Sequence, residues 1–170
     1  VLPDGRIRYS YRRRLGEPPL SVNQLKAMLH NPPRHERERE AINHLVAALN
    51  DAGVRLLLTA PRKVGAAAEW DHGNRTLRLR GDVIDKGSRE LARVLNHEAI
   101  HVAQSCRAGH LRAYPRPLGL PRAMAEPLRR QLLEPLYADA SPRERLLEEE
   151  AYANQERLEL GGRLVREHCQ

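Results

Sequence analysis

The sequence predicts a helix-rich α+β domain in which a small, mostly antiparallel sheet packs on one central helix. Three observations carry that expectation. Apolar residues recur at helical spacing over about 33–52, about 88–106 and again beyond Ser141. Short segments with strand character lie between the first two of these stretches. A chain of 170 residues is the size of one domain with one core. We therefore expect a basic N-terminal arm over 1–20 and a single domain over 21–170.

The core must be aliphatic. Hydrophobic residues make up 41% of the chain, yet there is no Phe and one Trp, so Leu, Val, Ile and Ala have to fill the interior. Lys and Arg outnumber Asp and Glu by 29 to 22, and nearly all of the basic residues are Arg. Such a balance suits an acidic partner, whether nucleic acid, an anionic membrane surface or an acidic protein, or simply a solvated surface with excess charge. The basic residues are spread along the chain except for a cluster at Arg6, Arg8, Arg12, Arg13 and Arg14.

Cys106 and Cys169 are too few for a disulfide scaffold and lack the paired spacing of a cysteine zinc site. A reducing compartment, the cytoplasm, is the simpler expectation, with a single bridge between the two left open. No apolar run approaches the roughly 18–20 residues of a membrane span, and the opening residues are basic and polar without an apolar signal core. No transmembrane segment is expected.

Along the chain, Ser21 followed by Gln24 fits a capping box that opens a short helix ending before Pro32 and Pro33. The next helix, to about residue 52, has Ile42, Leu45, Val46 and Leu49 on one face and Gly53 as terminator. Residues 54–59 read as a buried strand. Two further strands, about 66–70 and 76–80, are joined through the turn formers Asp71, His72, Gly73 and Asn74. In the last of them Leu77 and Leu79 alternate with Thr76, Arg78 and Arg80, which suits an exposed edge. Ser88 is the expected cap of a helix to about residue 106. Pro115, Pro117, Pro121, Pro127 and Pro135 then allow only short or kinked helix. Ser141, Pro142 and Glu144 form a strong helix start, and Gly161 and Gly162 are the expected end.

The chemistry lies in His97, Glu98 and His101. Two imidazoles four residues apart stand one turn apart on the same helix face, as two ligands of one metal must. Zinc accepts nitrogen ligands in tetrahedral geometry and keeps a position open for water in catalytic sites. Glu98 falls on the stripe of Leu91, Val94, Leu95, Val102 and Ser105, so a carboxylate is predicted inside an apolar face. Burying a charge without a partner costs several kcal/mol, which calls for a cation or a catalytic role.

The third ligand must come from elsewhere. A third His six residues after His101 would mark one metallopeptidase class, but Arg107 stands there, and His110 fits no common spacing. On the last helix Glu148, Glu149 and Glu150 point in different directions, and Glu150 aligns with Leu146, Leu147, Ala151 and Leu158. Asn154 lies one turn further along that stripe. Glu150 is therefore the predicted third ligand and Asn154 its outer-shell neighbour, while Glu148 and Glu149 suit a solvated face.

With HEAIH at 97–101 and EAYAN at 150–154, the chain resembles the gluzincin-type minimal metallopeptidases. In these a His-Glu-x-x-His helix precedes one bearing Glu-x-x-Ala-Asp or Glu-x-x-Ala-Asn. The resemblance covers roughly 54–160. It implies a zincin-like α+β fold and places the 76–80 strand (Thr76, Leu77, Arg78, Leu79, Arg80) over the active-site cleft as the substrate strand. The Cys106-Arg107 that follows His101 is similar to the mitochondrial inner-membrane peptidase family that processes an ATP-synthase subunit. The Ala-Asn ending is more like the family that cleaves phage-type repressors. The Pro-rich stretch over 111–135 departs from both.

The expected activity is zinc-dependent hydrolysis of a protein or peptide substrate, with one Zn2+ per chain held by His97, His101 and Glu150. Glu98 is the expected general base. Tyr152, His110, Tyr114 and Tyr137 are the candidate oxyanion donors. Two other readings compete: a non-catalytic zincin-like binding module, and a basic nucleic-acid-associated protein using the Arg6–Arg14 arm, which is not favoured.

Overall fold

The computed structural model describes residues 18–31, 34–132 and 140–170. The chain divides into two compact units, Val1–Arg34 and His35–Gln170. The Arg6–Arg14 cluster and Tyr137 lie outside the described residues. In the first unit, helix α1 (Val22–His30) opens on the predicted capping box: Gln24 N–H donates to Ser21 Oγ, and Ser21 N–H to Gln24 Oε1. None of its residues is buried.

The second unit is helix-rich α+β. Its elements run α2 (Glu36–Asp51), β1 (Arg55–Leu58), β2 (Ala68–Asp71), a 3-10 turn (His72–Asn74), β3 (Thr76–Leu79), α3 (Gly81–Asp85), α4 (Ser88–Arg107), α5 (Glu126–Gln131), α6 (Pro142–Asn154) and α7 (Leu160–His168). Helix α4 is the centre of the packing. It touches α2, α6, α7 and β2, and every residue from Val94 to Cys106 is buried except the half-buried His101. Leu45, Leu49, Leu77, Ile100 and Val102 are among the fully buried side chains of this core, aliphatic as the composition requires. The expected Ser88 cap is not formed: Gly87 holds the N-cap position, and no side chain caps it.

The sheet corrects two expectations. Its order is β1-β3-β2, with β1 and β3 parallel and β2 and β3 antiparallel. It is thus mixed, and the 76–80 strand is central, where an edge was expected. Alternation of Leu77 and Leu79 with arginines reports which face is apolar and says nothing about whether the edges are paired. Arg78 is neutralised within the sheet, its Nη1 lying 3.0 Å from Asp71 Oδ2. Strand β1 takes an outer position instead, and Leu58 is 64% exposed where a buried strand was predicted.

The last helix also differs. Ser141 caps α6 with the predicted box to Glu144, but α6 ends at Asn154, and Gly161 and Gly162 lie inside α7. Gly161 allows α7 to approach α4, whereas Gly162 faces α2. A Cβ on Gly161 would stand 2.7 Å from Asn96 Oδ1, 2.8 Å from Ala99 Cβ and 2.9 Å from the Asn96 carbonyl oxygen. On Gly162 it would meet nothing nearer than 3.6 Å. Gly161→Ala should therefore cost about 1–3 kcal/mol through overpacking. Gly162→Ala should be neutral or gain up to about 1 kcal/mol from helix propensity. Urea denaturation of the two variants checks this contrast; equal effects would contradict the packing described.

Asn96 also fixes this corner. Its amide donates to the carbonyls of Asn154 and Gln155, and its Oδ1 accepts from Gly161 N–H at 2.7 Å. At the C-terminal ends of α4 and α7, Cys106 and Cys169 are joined in a disulfide with a Cα separation of 5.0 Å. The bridge takes away the premise on which a reducing compartment was expected.

Candidate metal centre and cleft

One helical turn on α4 brings His97 Nε2 and His101 Nε2 to 3.2 Å from one another. The third group is Glu148, on α6, whose Oε2 lies 3.3 Å from His97 Nε2 and 3.6 Å from His101 Nε2. No other set of three His, Cys, Asp or Glu groups among the described residues converges in this way. Three donors placed tetrahedrally around zinc at about 2.0–2.1 Å would stand about 3.3 Å apart. The observed spacings of 3.2, 3.3 and 3.6 Å fit that requirement, and two imidazoles with one carboxylate are a donor set zinc accepts.

The ring of His101 is held in the orientation a ligand needs. Gln104 Nε2 donates to Leu147 O at 3.2 Å and to Glu150 Oε2 at 3.0 Å, both acceptors, so the amide orientation is determined. Gln104 Oε1 must then accept from His101 Nδ1–H, at 2.7 Å, which leaves Nε2 as the ring nitrogen that faces Glu148. Burial opposes the charge on His101, but the Glu148 carboxylate outweighs it and raises the imidazole above its ordinary value. Burial likewise opposes the charge on Glu148, and the two histidines hold that carboxyl well below the usual range. Each partner favours the charged form of the other.

Glu98 sits beside this group, buried as predicted. Desolvation pushes its carboxyl up, against the pull of His97 and His101 and of the Trp70 backbone amide, while Glu148 adds to the rise. Glu98, both histidines and Glu148 line one open cleft of about 240 Å³, with Trp70 and Tyr114 in its walls. Strand β2 supplies Ala68, Glu69 and Trp70 to the same cleft. The 76–80 strand, expected there, contributes no lining residue. Trp70 is fixed by an indole N–H bond to Ser105 Oγ at 2.9 Å.

Glu150, the predicted ligand, is not part of the centre. On a helix it points about 200° away from Glu148, so only one of the two can face the histidines. Its carboxylate is 1% exposed and accepts from Leu118 N–H (2.8 Å), Gly119 N–H (2.7 Å), Leu120 N–H (3.0 Å) and Gln104 Nε2 (3.0 Å). Four donors use the roughly four lone-pair positions a carboxylate offers. Gly119 at φ 84° lets consecutive amides converge on one anion. Asn154 clamps the same segment, donating to Pro121 O and Glu150 O at 2.8 Å each, and is not a neighbour of the ligand set.

The remaining expected residues divide. The Tyr152 ring stands 4.6 Å from that of His97 in an edge-to-face contact. Tyr114 lines the cleft beneath the Arg143 guanidinium, 4.5 Å from its ring. His110 is elsewhere, in a separate cavity beside the disulfide, with its Nδ1 accepting from Arg112 N–H. Two residues were missed. His72, read as part of a turn, lines the cleft and donates from Nδ1 to Arg112 O at 3.1 Å. Glu148 could have been found from the i,i+4 row Glu144, Glu148, Tyr152, or from Glu-x-x-Ala read two residues earlier, at Glu148 and Ala151.

Comparison with protein-family models, with curated proteins and with solved structures finds no match to this chain.

Proposed function

We propose that this chain is a zinc-dependent peptidase of the gluzincin type, with His97, His101 and Glu148 as the metal ligands and Glu98 as the general base. The observation that supports it most is the convergence of three donor atoms 3.2–3.6 Å apart beside a buried carboxylate, at the wall of an open cleft. A zinc ion held there would supply Lewis acidity and bring the pKa of water to about 7.

The chain's own residues account for the rest. Glu98 takes a proton from water as the water oxygen bonds to the peptide carbonyl carbon, and delivers it to the amine nitrogen as the C–N bond breaks. Its raised pKa suits a group that must both accept and release that proton. Tyr114 in the cleft wall and Tyr152, whose ring touches that of His97, are the candidate donors to a developing oxyanion. An extended substrate would lie along β2, whose outer edge no strand pairs among the described residues. The zincin-like likeness of the motifs agrees with this reading, with the Glu-x-x-Ala element read from Glu148 and Tyr152 standing where those families carry Asp or Asn.

No helix among the described residues is long and apolar enough to cross a membrane. The Cys106–Cys169 bridge favours an oxidising compartment over the cytoplasm. Cleavage of an unfolded protein substrate should stop on chelation and return with added zinc. Cleavage that persists in excess chelator would refute the reading.

A further inference from the structure

The Pro-rich segment that departs from the resembled families is tied to the metal centre through side chains. Gln104 is the junction. Its backbone carbonyl accepts from Arg116 N–H at 2.9 Å, and its side-chain oxygen accepts from His101 Nδ1–H at 2.7 Å. Its Nε2 reaches Glu150, which gathers the amides of Leu118, Gly119 and Leu120. Gln104 has no exposed surface and Glu150 1%, so water does not replace these bonds at low cost. The segment so held also carries Tyr114 and Pro115, which form part of the cleft wall.

We infer that Gln104 and Glu150 are positioning residues that couple zinc occupancy at His97, His101 and Glu148 to the seating of the 115–121 segment. The inference rests on the zinc reading above. Gln104 orients the His101 ring by accepting its Nδ1–H, and partners of this kind typically contribute about 10–100-fold to metal affinity. When zinc fixes His101, it fixes Gln104, and Gln104 in turn fixes the carboxylate that organises the segment. Coupling between two binding events is reciprocal, so zinc must steady the segment by the factor with which the seated segment strengthens zinc binding.

The test is amide hydrogen exchange at Leu118, Gly119 and Leu120 with and without zinc, beside zinc affinity from chelator competition. In the wild type, zinc should slow exchange at these amides on the order of tenfold. Gln104→Met, of similar size but without the acceptor, should bind zinc about 10–100-fold more weakly and lose the zinc-dependent slowing. Glu150→Gln should speed exchange at the three amides and weaken zinc less than Gln104→Met does. A purely structural role would lower the melting temperature of Gln104→Met while leaving its zinc affinity unchanged, and that overturns the inference. So does a wild-type exchange pattern indifferent to zinc, a result that needs no variant to fold. A wild type that takes up no zinc overturns the metal reading and this inference together, whereas normal zinc uptake with unaltered Gln104→Met affinity overturns the inference alone.

Discussion

Glu148→Ala is expected to weaken zinc binding by more than 100-fold, whereas Glu150→Ala should leave a site that still fills at moderate zinc concentration. Glu148 Oε2 is the only carboxylate oxygen among the described residues that converges on both imidazoles. Removing it leaves two nitrogens, too few for a closed tetrahedral set with one open position. Loss of an outer partner costs about 10–100-fold, so a larger loss at Glu148 marks it as a ligand. Glu150 acts on the centre only through Gln104. Its removal should show chiefly as lost stability, since three backbone amides and the Gln104 amide forfeit their acceptor. Zinc titration against a chromophoric chelator, with urea denaturation alongside, separates the two variants. Equal zinc affinities would refute the assignment.

Glu98→Gln should lower kcat about 10²–10⁴-fold while zinc content stays at the wild-type level. The amide keeps the size and much of the polarity of the buried side chain, so packing beneath α4 survives. It cannot accept the proton of the attacking water at neutral pH. Because Glu98 is not among the three convergent donors, metal affinity has no reason to fall with it. The informative quantity is the ratio between the two readouts. A variant that loses metal and activity together would place Glu98 among the ligands; one that keeps both would leave the proton transfer to another group.

The parts of the fold that the sequence disclosed are those decided locally. The capping boxes at Ser21 and Ser141 form as the spacing of their partners requires, because each is closed within four residues. The placement of Glu98 inside α4 followed from helical periodicity alone. What remained hidden depended on distant partners. The alternation in 76–80 could not tell that β1 would pair in parallel on one side and β2 antiparallel on the other. The paired glycines signal a helix end in isolation, yet here they lie inside α7, and Gly161 allows that helix to close on Asn96 and Ala99.

The difference between Glu150 and Glu148 has the same origin. A buried carboxylate does need a compensating group, and that reasoning correctly placed Glu150 on the inner face of α6. It did not say that backbone amides thirty residues earlier could supply the compensation in place of a cation. Three successive glutamates offer the helix a carboxylate in three directions, and only the docking angle of α6 on α4 selects the one that meets the histidines. Glu148 is half-buried with 20% of its side chain exposed, as a group that must meet a ligand in an open cleft has to be.

Diffraction from zinc-grown crystals above and below the zinc absorption edge tests the central claim most directly. One anomalous peak per chain is expected, bounded by His97 Nε2, His101 Nε2 and a Glu148 carboxylate oxygen, with Glu150 still engaged by Leu118, Gly119 and Leu120. A peak ligated by Glu150, or no peak at the two histidines with zinc in excess, would contradict it.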